Sequence, residues 1–461
     1  VNVVTAHTNV WPEGRLLTYY GDDFTGSTDV MEAFTAAGIP TVLFLERPKP
    51  SDLARFQHMR CIGLAGQSRG KSPDWMRREL PAIFECLQGM GAPILHYKVC
   101  STFDSSACVG SIGQAIDLGV KTTRARWSPL VVGAPRLKRY QVFGHLFAGA
   151  NGVVHRIDRH PTMSRHPVTP MQESDLRVHL AEQTQRRIEL IHVAELSEGL
   201  GQIRCDALQG DDQPVVMIDV ADDATQLEAG RLVWENRGQG LFSASSSGLQ
   251  YALAAYWRQQ GLIPQTPSLP VANAVPCIAV VSGSCSPMSG AQIQWARTHG
   301  FATERLDISR CLDAHEADLE IARLVSLALA SIAQNISPLV FSAEGPDDPA
   351  VLNFTATAAA ASLSKEAAAE RVGQALAEIM RQVLDQSTIR RFVVAGGDSS
   401  GAVGSHLGIR ALTVDAGMAP GVPLCRAWSD DPNRDGLQVA LKGGQLGAES
   451  FYGQVKSGCF S

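Results

Sequence analysis

Twice along its length the chain alternates short apolar runs with stretches of helical periodicity. "PTVLFL" (Pro40–Leu45), "CIGLAG" (Cys61–Gly66), "ILHYKVC" (Ile94–Cys100) and "PLVVGAP" (Pro129–Pro135) read as strands, while "GSTDVMEAFTAAG" and "PDWMRRELPAIFECLQGM" between them carry a helical period. Such alternation predicts a parallel sheet covered by helices. The rhythm breaks at "YQVFGHLFAGANGVVHRID" (Tyr140–Asp158), where Asn151-Gly152 between two apolar runs signals a hairpin. It stops at the Pro- and Gln-containing "RQQGLIPQTPSLPVANAVP" (Arg258–Pro276), which reads as a linker. It then restarts with "CIAVVSGSCS", "PMSGAQIQWARTHG", "PLVFSAEG", "RFVVAGGDSSG" and "LQVALKGGQLG". The expectation is an α/β protein of two domains, residues 1–258 and 277–461 joined by a linker over 259–276, each a largely parallel sheet flanked by helices. The Ala-rich Thr355–Leu384 is expected to form helix.

Bulk properties narrow the function classes. At 461 residues, 45% hydrophobic and 19% charged, the chain can build two sizeable cores. A net charge of −6 argues against nucleic acid as a partner, since backbone binding needs a basic face. The ten cysteines are scattered with no CxxC pair, as in reduced cytosolic proteins. No secretory leader pattern and no run of membrane-spanning length is seen. The expectation is a cytoplasmic protein without a membrane partner; a homo-oligomer is left open.

Candidate chemistry lies at the strand ends, where open α/β sheets bind ligands. "GDDFTG" places Asp22 and Asp23 between a strand and a helix expected to begin near Gly26 or Ser27. One carboxylate can accept a hydroxyl proton, or one Asp can simply cap the helix. "GQSRGKS" (Gly66–Ser72) is not a P-loop, because three residues rather than four separate its glycines. Its Ser68 and Arg69 follow a strand, and Arg69 can fork onto a ligand carboxylate. "YKVCSTFDSS" (Tyr97–Ser106) brings Lys98, Asp104 and hydroxyls to a third strand end, a set suited to a polyhydroxylated acid. "HRIDRHPTMSRHP" (His155–Pro167) fits no zinc spacing and reads as a solvated basic loop. No metal-ligand set is read anywhere in the chain.

In the second half "VSGSCSPMSG" (Val281–Gly290), "VVAGGDSSGAVGSHLG" (Val393–Gly408) and "LKGGQLG" (Leu441–Gly447) are Gly-rich strand ends, two of them opening helices. Glycine lets backbone approach a phosphate, and the amides at a helix start point toward it. Three in one domain suggest a nucleotide phosphate site without a P-loop.

Taken together, "GDDFTGSTD", "YKVCSTFDSS", "HPVTPMQESDL", "VSGSCSPMSGAQI", "AEGPDDP", "AGGDSSGAV" and "PGVPLCRAWSDDPNRDGLQVALKGGQLGAESF" resemble the four-carbon acid sugar kinase family, in order and over nearly the whole chain. The "STFDSS" spelling is similar to the 3-oxo-tetronate kinase branch. The resemblance implies an N-terminal domain for a tetronate-type sugar acid, a C-terminal domain for ATP, and phosphorylation of the terminal hydroxyl with Mg2+. It implies Asp22 and Asp23 at the phosphoryl acceptor, with Asp104 and Asp398 as rival bases. It implies Gln67, Ser68, Arg69, Lys98, Ser101, Thr102, Phe103, Asp104 and His145 around the sugar acid. Ser284, Ser286, Gly396, Gly397, Asp398, Ser399 and Gly444 would hold ATP. The chain departs from the usual family spelling at "GAPRLKRYQ" (Gly133–Gln141), which lacks Gly-Arg-Thr, and in the extra His and Arg of "RHPTMSRHPVTP". Two other readings compete: an aspartyl-nucleophile phosphohydrolase, disfavoured because the two acids are adjacent rather than alternating, and a non-enzymatic two-domain binding protein.

Overall fold

A computed structural model describes residue 11 and residues 13–123, 125–150, 152–166, 168–266 and 268–459. The chain divides into two compact units. One takes the chain up to Thr41 together with Leu53–Ser268; the other takes Val42–Asp52 together with Leu269–Ser461. The units are therefore not simple sequential halves. Between the helix Ser247–Gln259 and the strand Ala279–Ser282, the described residues contain no helix or strand.

In the first unit four strands pair in parallel, in the order Leu241–Ser245, Ile94–Lys98, Leu17–Gly21, Cys61–Ala65. Three of them are buried at every residue. Both faces are covered, which is why they read as unbroken apolar runs rather than alternating ones. The expected strand at Pro129–Pro135 is shorter, Ser128–Leu130, and it pairs instead with Val215–Ile218 in a second parallel sheet completed by Ile188–Ile191. The hairpin signal is met by His145–Ala150 and Val153–Arg156, which pair antiparallel, with Arg139–Val142 on the other side; Asn151 lies outside the described residues.

In the second unit Gln438–Lys442, Arg391–Ala395, Ala279–Ser282, Ser337–Phe341 and Phe301–Arg305 lie parallel in that order. An antiparallel wing extends the sheet from Gln438–Lys442 through Val422–Ser429 and Ile409–Ala419 to Leu43 and Phe44. Ile278, Phe341, Val393, Leu424, Phe451 and Tyr452 pack its core.

Two helix boundaries differ from expectation, each because of a side-chain cap. The first helix begins at Phe24, ahead of the expected Gly26 or Ser27, because Asp23 adopts extended backbone and accepts the Gly26 amide at 2.6 Å. The Ala-rich segment forms two helices, Phe354–Ala360 and Lys365–Asp385. Ser362 takes a left-handed φ of 57°, and Ser364 caps the second helix by accepting the Ala367 amide at 3.1 Å.

Candidate active site

The central strand of the first unit delivers Asp22, and its two neighbours grip that residue. The Asp22 amide donates to the Lys98 carbonyl at 2.9 Å, and the Asp22 carbonyl accepts the Arg69 amide at 3.0 Å. Three polar strand ends thus meet. The Arg69 guanidinium then turns back onto both acids. Its Nη2 donates to Asp22 Oδ1 at 2.7 Å, its Nε to Asp22 Oδ2 at 3.2 Å, and its Nη1 to Asp23 Oδ2. The expected fork onto a ligand carboxylate is occupied by the protein's own acids.

The two acids are not equivalent. Asp23 uses Oδ1 as the helix cap and Oδ2 for Arg69, so the capping role and the site role coexist in one side chain. Asp22 is only 4% exposed. Burial pushes its carboxyl up to about 6, against the pull of Arg69 and with a further push from Asp23. Burial works against the Arg69 cation too, but Asp22 and Asp23 outweigh it and hold Arg69 well above its ordinary value.

Lys98 is buried, donates Nζ to the Val99 carbonyl at 2.9 Å and faces Asp29 Oδ2 at 3.7 Å. A Cβ at Gly26 would stand 2.6 Å from Asp23 Oδ1 and 3.2 Å from Lys98 Nζ, so the glycine of "GDDFTG" makes room for both charges. Ser68 Oγ lies 2.8 Å from the Tyr97 hydroxyl, and the exposed Gln67 gives its amide to the Tyr20 hydroxyl at 3.4 Å. Tyr20 and Tyr97 stack at 5.8 Å with Phe84 edge-on to both. Each such pair contributes roughly 0.5–1.5 kcal/mol, which fixes the floor beneath the loop.

The segment after Lys98 is braced from a helix. The Thr102 hydroxyl donates to Asp104 Oδ1. Phe103 is buried in a left-handed conformation, φ 57°, at a cost of roughly 1–2 kcal/mol. Its ring meets His179 edge-on, and His179 Nε2 lies 3.0 Å from Ser105 Oγ, which also accepts from Gln183. Ser101 is half-buried at the start of this loop. His145 stands on the antiparallel sheet with Nδ1 2.9 Å from Ser174 Oγ, and no described contact joins it to Asp22 or Arg69. In the His/Arg loop, ring nitrogens of His160 and His166 accept amides of their own turns. Among the described residues no group of three or more His, Cys, Asp or Glu is arranged to hold a metal.

Sequence reasoning missed Arg139. Its Nη1 donates to the carbonyls of Leu137, Lys138 and Gly149, at 3.1, 3.2 and 3.4 Å, and it forms no ion pair among the described residues. Burial lowers its pKa, while Cys100 works the other way. Its position inside the unusual "GAPRLKRYQ" spelling was the only available signal. Asp29 was missed as well, since nothing in a helix interior announces a partner for Lys98.

In the second unit the three Gly-rich strand ends converge. The Gly283 amide donates to the Ala395 carbonyl and the Gly396 amide to the Lys442 carbonyl, both at 2.9 Å. Ser286 caps the helix Pro287–Thr298 and donates Oγ to the Gly444 carbonyl at 2.6 Å. A Cβ on Gly444 would stand 2.5 Å from Ser284 Oγ, and one on Gly283 would stand 2.1 Å from Ser399 Oγ. Gly396 has φ 116°, a conformation that favours glycine, and the helix Gly397–His406 follows it. The Asp398 side chain lies outside the described residues. Beside the helix Pro287–Thr298 opens a cleft of about 460 Å³ lined by Pro287, Gly290, Gln294, Arg305, Glu344 and Asp348.

Two family descriptions match the chain in succession: a sugar-binding N-terminal domain over residues 17–253 and a nucleotide-binding C-terminal domain over residues 279–452. The chain belongs to the four-carbon acid sugar kinase family. Membership in this kinase family sets aside the phosphohydrolase and binding-protein readings, and it carries the use of ATP. A 3-oxo-isoapionate kinase of Paraburkholderia graminis is 62% identical over 448 residues, covering 97% of this chain and 95% of that one. A 3-oxo-tetronate kinase of Pectobacterium atrosepticum is 29% identical, covering 94% and 97%. In fold, this sugar-acid kinase is similar to a solved protein of Salmonella typhimurium LT2, with a TM-score of 0.78 at 24% identity over 95% of this chain and 98% of that one. Among the described residues of the kinase, no helix is long and apolar enough to cross a membrane.

Proposed function

We propose that this kinase moves the γ-phosphoryl group of ATP to a terminal hydroxyl of a short 3-oxo sugar acid, and that 3-oxo-isoapionate is the first substrate to test. The observation that carries the chemistry is the pair Asp22 and Arg69. A buried carboxylate with a pKa of about 6 is ionised at neutral pH, yet more basic than an ordinary one. Asp22 takes the hydroxyl proton. Arg69 and Asp23 hold Asp22 in place. Thr102, Asp104, Ser101 and Lys98 meet the substrate hydroxyls and the oxo group, and Gln67, Ser68 and Phe103 shape the loops around them. His145 is a more distant member of this set.

Arg69 and Lys98 already face carboxylates of the protein. A substrate carboxylate therefore needs another cation, and Arg139, without an acid partner among the described residues, fills that role. Its place in the segment that departs from the usual family spelling supports a substrate other than a plain tetronate. The 62% identity to a 3-oxo-isoapionate kinase, against 29% to a 3-oxo-tetronate kinase, supports the same choice.

ATP is held in the second unit by Ser284, Ser286, Gly396, Gly397, Asp398, Ser399 and Gly444, with the cleft beside Gly290 available to the nucleoside. Mg2+ is usually bound through one or two carboxylates plus substrate phosphates rather than by an all-protein cage. That fits a donor set with no three-ligand group among the described residues, so Mg2+ is expected to enter with the nucleotide and neutralise phosphate charge. Phosphoryl transfer then asks this chain mainly for positioning. ADP release measured over a panel of 3-oxo and reduced sugar acids tests the reading. Turnover is expected to be highest with 3-oxo-isoapionate, and equal turnover with neutral sugars of the same length would overturn it.

A further inference from the structure

The nucleotide half contains a cation that no described residue neutralises. Lys442 ends the strand Gln438–Lys442 with no exposed surface. Its Nζ donates to Ser289 Oγ at 3.3 Å and to the Gly444 carbonyl at 3.4 Å. Both partners are uncharged and both bonds are long. From the helix Pro287–Thr298 it is faced by the Ser289 hydroxyl, and from the following turn by the Gly444 carbonyl. Among the described residues no ionised group faces it. Burial pushes its pKa down to about 8.

A buried ammonium without a counter-charge is expensive. The surroundings add to the problem rather than offsetting it. The helices Pro287–Thr298 and Gly397–His406 both begin at these strand ends, and helix N-termini carry partial positive charge. Lys442 and two helix starts make one positive locus under a Gly-rich turn, a natural seat for a polyanion.

We infer that Lys442 is the charge anchor of the ATP polyphosphate, lying under Gly443 and Gly444 and neutralised only when nucleotide binds. This rests on the reading of the second unit as the ATP site. The competing role is structural, a brace that holds the Gly444 carbonyl.

The two roles predict opposite signs. Titration calorimetry on the full chain with ATP, for the wild type, K442M and K442R, separates them. If Lys442 anchors phosphate, K442M should lose roughly 10–100-fold in ATP affinity, the span of a charged hydrogen bond. Its melting temperature without nucleotide should hold or rise, because an apolar chain replaces a buried charge. K442R should keep most of the affinity. In the wild type, binding near pH 8 should take up protons, seen as a heat that depends on the ionisation enthalpy of the buffer. K442M should lack that uptake. Wild-type affinity in K442M, or a lowered melting temperature with intact affinity, would overturn the anchor. Proton-neutral binding by the wild type near pH 8 would do so without any variant. A wild type that binds no ATP would instead overturn the ATP-site reading itself, and the anchor with it.

Discussion

Arg69 closes a two-pronged ion pair on Asp22, with Nη2 on one carboxylate oxygen at 2.7 Å and Nε on the other at 3.2 Å. A carboxylate held this way cannot rotate freely, which suits the role of base proposed for it. Its remaining lone pairs are the ones that decide the chemistry.

Asp22→Asn keeps the shape and removes the basicity. kcat is expected to fall roughly 10²–10⁴-fold with substrate KM nearly unchanged. In the wild type, kcat/KM should fall as pH drops through about 6, where Asp22 takes up its proton. Stability runs the other way. The folded pKa lies above the unfolded value of 3.8, so the stabilisation is full below 3.8 and is lost as pH rises through about 6. Asp23→Asn should still cap its helix, and should weaken substrate binding more than turnover. Normal kcat in Asp22→Asn, measured at saturating substrate, would move the base to Asp104 or Asp398.

Arg139→Met should raise KM for the sugar acid by at least roughly tenfold, the scale of one charged hydrogen bond, and leave KM for ATP alone. Arg139→Lys should recover part of the loss. Because Arg139 also braces three carbonyls, melting curves accompany the kinetics. Unchanged sugar-acid KM in a folded Arg139→Met enzyme would return the carboxylate to Arg69 or Lys98.

Gly444→Ala places a methyl 2.5 Å from Ser284 Oγ. The turn must shift, so KM for ATP should rise while KM for the sugar acid holds. The reverse pattern would remove Gly444 from the nucleotide set.

Periodicity revealed the strand ends of both units, because strands buried on both faces announce themselves as apolar runs. It also placed Asp22, Lys98 and Arg69 at the ends of strands that turn out to be neighbours. Sequence could not show that Arg69 spends its charge on Asp22 and Asp23, since ion-pair partners 46 and 47 residues apart leave no local mark. Caps moved two boundaries. Asp23 started its helix before Gly26, and Ser364 split an Ala-rich stretch that propensity alone would run together. Arg139 stayed hidden because its segment neither alternates nor repeats, and what proposes it is the lack of an acid partner among the described residues.

The segment Val42–Asp52 joins the second unit, where Arg410 pairs with Glu46 and Asp52 across 364 and 358 residues of chain. During synthesis the early segment must therefore wait for its partner. At about 5–20 residues per second that delay is roughly 20–70 s. For that time the edge of Val42-Leu43-Phe44 that pairs with Ile409–Ala419 stays uncovered, and the ribosome delivers a nascent chain with a sticky edge. Truncations that stop before Ile409 should leave that edge exposed for good, and cells expressing them should accumulate chaperone-bound or aggregated protein rather than a free sugar-acid domain.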